Sequence, residues 1–206
     1  MKKSLLTIIA ALTLMSCNIP EKYQEIFDNV YLQKTFTRPY LSTSSIYNFK
    51  DNDSLSYYIG CAHFSPKLDY DSLKVINFKG NSSALRFHNV VDSLDVCITK
   101  SVKDNIKAVK LKTVLAKDLI IGEDCYIIGY PKGMFRSVKK SNISGVIGEE
   151  YKVIITDNIC VQGYSGAPVF VKRGKDLCLV GIVNSYMEMT KNTFVIPVDY
   201  FIDRIK

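Results

Sequence analysis

The segment Gly163-Tyr164-Ser165-Gly166-Ala167-Pro168 places a serine between glycines, just ahead of the short apolar run Val169 to Val171. A glycine before a serine lets backbone N–H groups approach one oxygen with no Cβ in the way. Converging N–H donors are what a developing oxyanion requires. Two other chemical groups precede this segment. His63 lies in Gly60-Cys61-Ala62-His63-Phe64, and Asp95 lies in Asp92-Ser93-Leu94-Asp95-Val96-Cys97-Ile98. A hydroxyl, an imidazole and a carboxylate can serve as nucleophile, general base and orienter of that base.

Each signal is weak alone. A bare GxSG recurs by chance, a lone histidine is more often a satisfied imidazole than a base, and an aspartate between strands is usually a loop carboxylate. The order His, Asp, Ser gives them weight together. Subtilisin-like enzymes run Asp, His, Ser, and α/β-hydrolases run Ser, Asp, His. No histidine follows Ser165, which excludes an ordinary α/β-hydrolase triad. The only other histidine, His88, has no motif around it and reads as structural. Asp92 is the rival to Asp95, with a poorer local pattern.

These groups need a frame. Short runs rich in Val, Ile, Tyr, Phe and Thr, broken by Asn, Asp, Gly, Lys and Ser, read as strands. They fall at Ser44–Phe49, Leu55–Cys61, Leu73–Phe78, Ala84–His88, Val96–Lys100 and Lys107–Lys110. After a break near Lys112–Asp118 they resume at Asp124–Tyr130, Arg136–Ile147, Tyr151–Thr156, Ala167–Lys172, Leu177–Val183 and Thr193–Pro197. A short helix is expected within Glu21 to Tyr31, and another over Val198–Ile205, where apolar residues recur at helical spacing. A dozen strands at this spacing, divided about equally near residue 115, point to an all-β sandwich or barrels.

With these residues in place, the sequence from about residue 40 to 206 resembles the trypsin-like, chymotrypsin-fold serine peptidases. It is nearest to the compact bacterial type related to the high-temperature-requirement proteases. Cys61-Ala62-His63 resembles the family's small-small-histidine segment, and Asp95-Val96-Cys97-Ile98 its aspartate-apolar-small-apolar run. Ile127-Ile128-Gly129-Tyr130-Pro131 and Ser144-Gly145-Val146-Ile147 resemble two strands of its second barrel. Leu179 to Ser185 resembles the strand that pairs with substrate, and Phe194 to Val198 the closing strand.

The resemblance implies two six-stranded antiparallel β-barrels with a short C-terminal helix. Residues 41–115 would form the N-terminal barrel, and 116–206 the C-terminal barrel and helix. It further implies His63 as base, Asp95 as its orienter and Ser165 as nucleophile. The oxyanion hole would be the N–H groups of Gly163 and Ser165. Ile159, Asn184 and Tyr186 would shape the specificity pocket. An isoleucine where trypsins keep an aspartate argues against cleavage after Arg or Lys and favours small or medium apolar side chains.

Two departures stand out. Ala167 stands where glycine is commonest, which is tolerable if its φ is negative. Tyr164 stands where animal trypsins carry the aspartate that receives a freed N-terminus, so activation by N-terminal cleavage is not expected.

The first residues look like an export signal. Lys2 and Lys3 precede an apolar stretch, Leu5 to Leu14, too short to span a bilayer comfortably. Leu14-Met15-Ser16-Cys17 resembles the bacterial lipobox. It implies a signal peptide over 1–16, lipid on Cys17 and a tether and lead-in over 17–40. Such a chain would sit in the bacterial cell envelope, anchored to a membrane. The alternative is a signal cleaved nearby beside an incidental cysteine.

The net charge is +7. One denser basic run, Lys132, Arg136, Lys139 and Lys140, reads as a solvated loop, with contact to anionic lipid headgroups or an acidic substrate as the alternative, and no stacking pattern points to a nucleic-acid partner. Cys61, Cys97, Cys125, Cys160 and Cys178 lie among apolar residues and read as buried thiols, with one internal disulfide possible in principle. No CxxC or Cys/His ligand spacing indicates a metal, and no cofactor is called for.

The leading expectation is a membrane-anchored serine endopeptidase acting on protein or peptide substrates. The alternatives are a catalytically silent binding lipoprotein of the same fold, and an esterase using the same triad.

Overall fold

The computed structural model describes residues 21–34, 43–50, 56–64, 74–76, 82–91, 94–101, 109–110 and 112–204. The leader, Cys17 and Asp92 lie outside them. His88 belongs to a strand whose side chains are not among those described. No helix of the described residues is long and apolar enough to cross a membrane.

The chain is built almost wholly of strands. After helix α1 (Glu21–Asp28) come β1 (Val30–Lys34), β2 (Thr43–Lys50), β3 (Ser56–Cys61), β4 (Lys74–Ile76), β5 (Ser82–Val91), β6 (Val96–Ser101) and β7 (Val109–Lys110). The second half holds β8 (Asp124–Gly129), β9 (Ser137–Ile147), β10 (Val153–Thr156), β11 (Pro168–Arg173), β12 (Asp176–Met187) and β13 (Asn192–Pro197).

Strands β8 to β13 form a closed six-stranded barrel in the order β10-β13-β12-β11-β8-β9. Closure removes the exposed sheet edges that would otherwise invite pairing with other chains. Side chains alternate inward and outward along these strands. On β8, Cys125 and Ile127 are buried while Asp124 is exposed and Tyr126 half-buried.

The first half forms a sheet in the order β1-β4-β5-β6-β3-β2-β7. An additional antiparallel pairing of β1 with β2 returns it on itself, so six strands make a ring and β7 lies parallel on β2. The architecture is therefore the expected all-β, two-barrel one.

Three local expectations need correction. The first strand begins at Val30, earlier than read from sequence, because Val30, Tyr31 and Leu32 are buried where α1 feeds the sheet. The C-terminal helix is two 3₁₀ turns, Val198–Tyr200 and Ile202–Arg204. The buried pair there, Val198 and Phe201, is three residues apart, which suits a three-residue turn better than a 3.6-residue one. The basic run is solvated only in part: Lys132 is exposed in a turn and Lys140 is exposed on β9, but Arg136 and Lys139 are half-buried. Arg136 reaches the Phe27 carbonyl and Asp28, Lys139 the Ile159 carbonyl, and Lys140 Asp124.

One core cluster joins the halves. Phe27, Val30, Leu32, Tyr47, Ile59, Cys61, Val96 and Ile98 from the first pack with Ile128, Phe170, Leu179, Ile182 and Phe201 from the second. Tyr47 meets Phe170 edge-on, with ring centroids 5.3 Å apart. The Tyr130 hydroxyl donates to the Val30 carbonyl at 3.1 Å. A second cluster, including Ile127, Ile143, Ile154, Val169, Val180 and Val195, fills the second barrel alone.

Candidate active site

His63 and Asp95 are brought together by the pairing of β3 with β6. Cys61, the last residue of β3, opposes Val96, the first of β6. His63 follows in a 3₁₀ turn (Ala62–Phe64), and Asp95 immediately precedes β6. Asp95 has φ +56°, a left-handed conformation that aspartate tolerates better than most residues. This conformation faces the aspartate toward the histidine turn. Its carbonyl accepts from the Ala62 N–H at 2.9 Å, and its Oδ1 from the His63 N–H at 2.7 Å. Its Oδ2 is bonded to His63 Nδ1. The carboxylate is thus fixed through both oxygens, and the imidazole presents its Nε2 edge away from it.

Ser165 arrives from the second barrel. It sits in the turn between β10 and β11, flanked by Gly163 at φ +98° and Gly166 at φ +79°. A Cβ at Gly163 would run into the Tyr130 carbonyl oxygen and come within 2.6 Å of the Lys132 nitrogen, so only glycine fits there. Ala167 is fully buried and is not among the positive-φ residues, so alanine carries no strain at that position.

Strand β12 joins the two contributions. The Val183 carbonyl accepts from the Gly166 N–H at 2.7 Å and from the Cys61 thiol at 3.1 Å. The Asn184 amide donates from Nδ2 to Asp95 Oδ2 at 2.6 Å. The Asn184 carbonyl accepts from Ser165 Oγ at 3.4 Å. Two successive residues of β12 therefore hold both the dyad and the serine segment. Asn184 can do so because the register with β13 slips between Val183 and Ser185, leaving it the extra residue of a bulge. Bulges re-aim side chains in this way.

The oxyanion donors are oriented by a neighbouring turn. The Gln162 carbonyl accepts from the Lys132 N–H at 2.8 Å. No peptide bond among the described residues is cis. In a trans peptide the N–H points opposite to the carbonyl. Tying Gln162 C=O toward Lys132 thus aims the Gly163 N–H away from that turn. The Ser165 N–H has no protein partner among the described residues.

The residues expected to line the pocket fall in different places. Ile159 is half-buried, and its carbonyl accepts from the Lys139 ammonium. Tyr186 is exposed, beyond the bulge on β12. Asn184 corrects the reading from sequence, because its side chain is bonded to Asp95 and not left to narrow a pocket. Thr193, absent from that reading, is fully buried. Its hydroxyl accepts from the Cys160 N–H at 2.8 Å and donates to the Asn158 carbonyl at 2.7 Å.

Cys61, His63 and Asp95 also offer ligand atoms within 4.8 Å of one another. The thiol argues against a metal site there. Burial, then the charge of Asp95, pushes its pKa well up, and its proton is bonded to Val183. A metal ligand must be a thiolate. All five described cysteines are free and buried.

A histidine and aspartate from one β-barrel and a glycine-flanked serine from a second make up the two-barrel arrangement of the chymotrypsin fold, and this chain is of that fold class. Residues 54–182 match the family model of the trypsin-like peptidase domain, and the chain belongs to that family. Among solved structures it is similar to an HtrA-type protease, AlgW, in a serine-to-alanine form with a tripeptide. The TM-score is 0.73 at 18% identity, covering 88% of this chain and 60% of that one. It is also similar to the inactive form of Rv3671c from M. tuberculosis, with TM-score 0.72, 16% identity and coverage of 91% and 89%. A serine endoprotease from Yersinia pestis gives TM-score 0.71 at 18% identity, covering 88% and 63%. The chain thus spans about three-fifths of the AlgW and Yersinia structures. No curated protein matches it in sequence.

Proposed function

We propose that this protein is a lipid-anchored endopeptidase that cleaves peptide bonds through an acyl-enzyme on Ser165. The observation that carries the chemistry is the meeting of the Asp95–His63 dyad and the Ser165 segment on Val183 and Asn184. In the reaction, His63 Nε2 takes the Ser165 proton as Oγ attacks the scissile carbonyl. Asp95 keeps the proton on Nδ1 and stabilises the imidazolium. The carbonyl oxygen becomes an oxyanion held by the N–H groups of Gly163 and Ser165. His63 returns the proton to the leaving amine. A water, deprotonated by the same base, then hydrolyses the ester and frees Ser165.

The anchor is proposed from Leu14-Met15-Ser16-Cys17, with lipid on Cys17 holding the domain to a membrane of the bacterial envelope. More than one acyl chain is needed for firm attachment, because a single one binds only marginally. At the first specificity subsite, Ile159 in place of an acid favours small or medium apolar side chains.

A fluorophosphonate probe tests the chemistry. It is expected to label the purified full chain, and Ser165→Ala is expected to abolish labelling. A well-folded chain that stays unlabelled would mark a silent binding protein instead. Fractionation of expressing cells tests the anchor: Cys17→Ser is expected to move the protein out of the membrane fraction.

A further inference from the structure

We infer that the oxyanion loop is held from inside the second barrel by two side-chain anchors on β9, so the site assembles without a freed N-terminus or a bound partner. This rests on the peptidase reading above and concerns how that same site is kept competent.

Other elements fix Asn158, Cys160, Gln162 and Gly166 of this loop, which leaves Ile159 and Tyr164 to be held by side chains. After β10 ends at Thr156, the chain forms no strand until Pro168, yet both oxyanion donors lie in this stretch. Donors on an unfixed loop cannot stay aimed at one oxygen, and small misplacements cost large factors in rate.

Strand β9 supplies two points of attachment. Lys139 lies opposite Ile127, which is fully buried, so its side chain shares the inward face of that pair. Its ammonium donates to the Ile159 carbonyl at the start of the loop. Ser137 lies two residues earlier, on the same face of β9. Its hydroxyl accepts from the Tyr164 hydroxyl at 2.9 Å, and Tyr164 is only 4% exposed. Tyr164 sits between the two donors, Gly163 and Ser165. One strand therefore grips the loop at both ends, with a charge-assisted bond at one and a buried phenol at the other.

The placement explains two oddities of the sequence. Tyr164 replaces the aspartate that in animal trypsins receives a freed N-terminus, and it meets a hydroxyl of this same barrel. Lys139 belongs to a basic run, but points inward where Lys140 points out to Asp124. The cation that steadies the loop is thus carried internally. Lys139 and Tyr164 are positioning residues that act through the backbone.

The test is active-site titration of the full chain with a fluorophosphonate, together with kcat and KM on a peptide ester. The unprocessed wild type is expected to label without any added partner. Lys139→Met is expected to lower kcat and the labelling rate by about tenfold or more, with KM changed far less. Lys139→Arg, which keeps a cationic donor, is expected to restore most of the rate. Tyr164→Phe removes one hydroxyl at almost constant volume and serves if Lys139→Met does not fold; a rate loss of about threefold or more is expected. Wild-type rates in both folded variants would overturn the inference while leaving the peptidase reading intact. A wild type that never labels would overturn both.

Discussion

The Asn184 side chain donates to Asp95 Oδ2 at 2.6 Å, on the oxygen that also holds His63 Nδ1. The link joins the two barrels at their most consequential point. One carboxylate oxygen is shared by the base and an amide from β12, while the other accepts from the His63 N–H. Removing the amide leaves the aspartate held only from its own barrel. Asn184→Ala is expected to lower kcat/KM by about tenfold, and Asn184→Ser to recover part of it, because a hydroxyl can donate to the same oxygen. Steady-state rates on a peptide ester decide the matter. Unchanged rates for the alanine variant would leave the bond without a catalytic role.

Gly163 offers a sharper test. Its φ of +98° and the close approach of the Tyr130 carbonyl and Lys132 nitrogen leave no room for a Cβ. Any side chain must push the Gln162–Gly163 peptide off its bond to Lys132, and the Gly163 N–H turns with it. Gly163→Ala is expected to reduce kcat by about 10²- to 10³-fold, the cost of losing one oxyanion donor. Circular dichroism would confirm that the variant remains folded, and a rate within a few-fold of wild type would refute the assignment.

What the sequence disclosed follows from how each residue acts. Ser165, His63 and Asp95 were legible as candidates because residue type, local motif and chain order single them out. The strands were legible because β-branched and aromatic residues gather in short runs between turn-forming residues. Asn184 was not, since its contact with Asp95 depends on a one-residue bulge between β12 and β13, set by pairing far away in the chain. Lys139 was hidden in the same way. In a row of four cations nothing local says which one faces Ile127, and only the register of β8 with β9 decides it. Thr193 looks like an ordinary strand residue until the loop carrying Asn158 and Cys160 folds over its hydroxyl.

The Glu123–Arg173 pair predicts acid sensitivity in the second barrel. Arg173 bonds both carboxylate oxygens, and Glu123 also accepts from the Ile120 N–H at 2.7 Å. The bond from Arg173, above all, holds the Glu123 pKa below its usual value. A depressed folded pKa gives stability that is present above the unfolded value, near 4.3, and is lost as pH falls through the folded one. With Glu123 mostly buried and Arg173 a third exposed, screening leaves a contribution of about 1 kcal/mol. Glu123→Gln is therefore expected to destabilise the chain at pH 7 and to matter progressively less as pH falls below about 4. Urea unfolding across pH would show it. An equal deficit at both ends of the range would sink the assignment.

Thr193 sets the last prediction, on substrate choice. Its hydroxyl bridges the Cys160 N–H and the Asn158 carbonyl, so β13 is fastened directly to the stretch that carries Ile159. The side chain is fully buried. We predict that this clasp closes the far end of the first specificity subsite, the one proposed for Ile159. The wild type is expected to prefer alanine, serine or valine at the residue before the cut. Thr193→Gly removes both bonds and adds backbone freedom in a strand, at a cost of about 2 kcal/mol in stability. It should also deepen the subsite, raising kcat/KM for leucine or phenylalanine relative to alanine by about tenfold, the change expected from one or two buried methylene groups. A peptide-library digest measures both. Wild-type cleavage after phenylalanine or arginine as efficient as after alanine would show that Thr193 does not close the pocket.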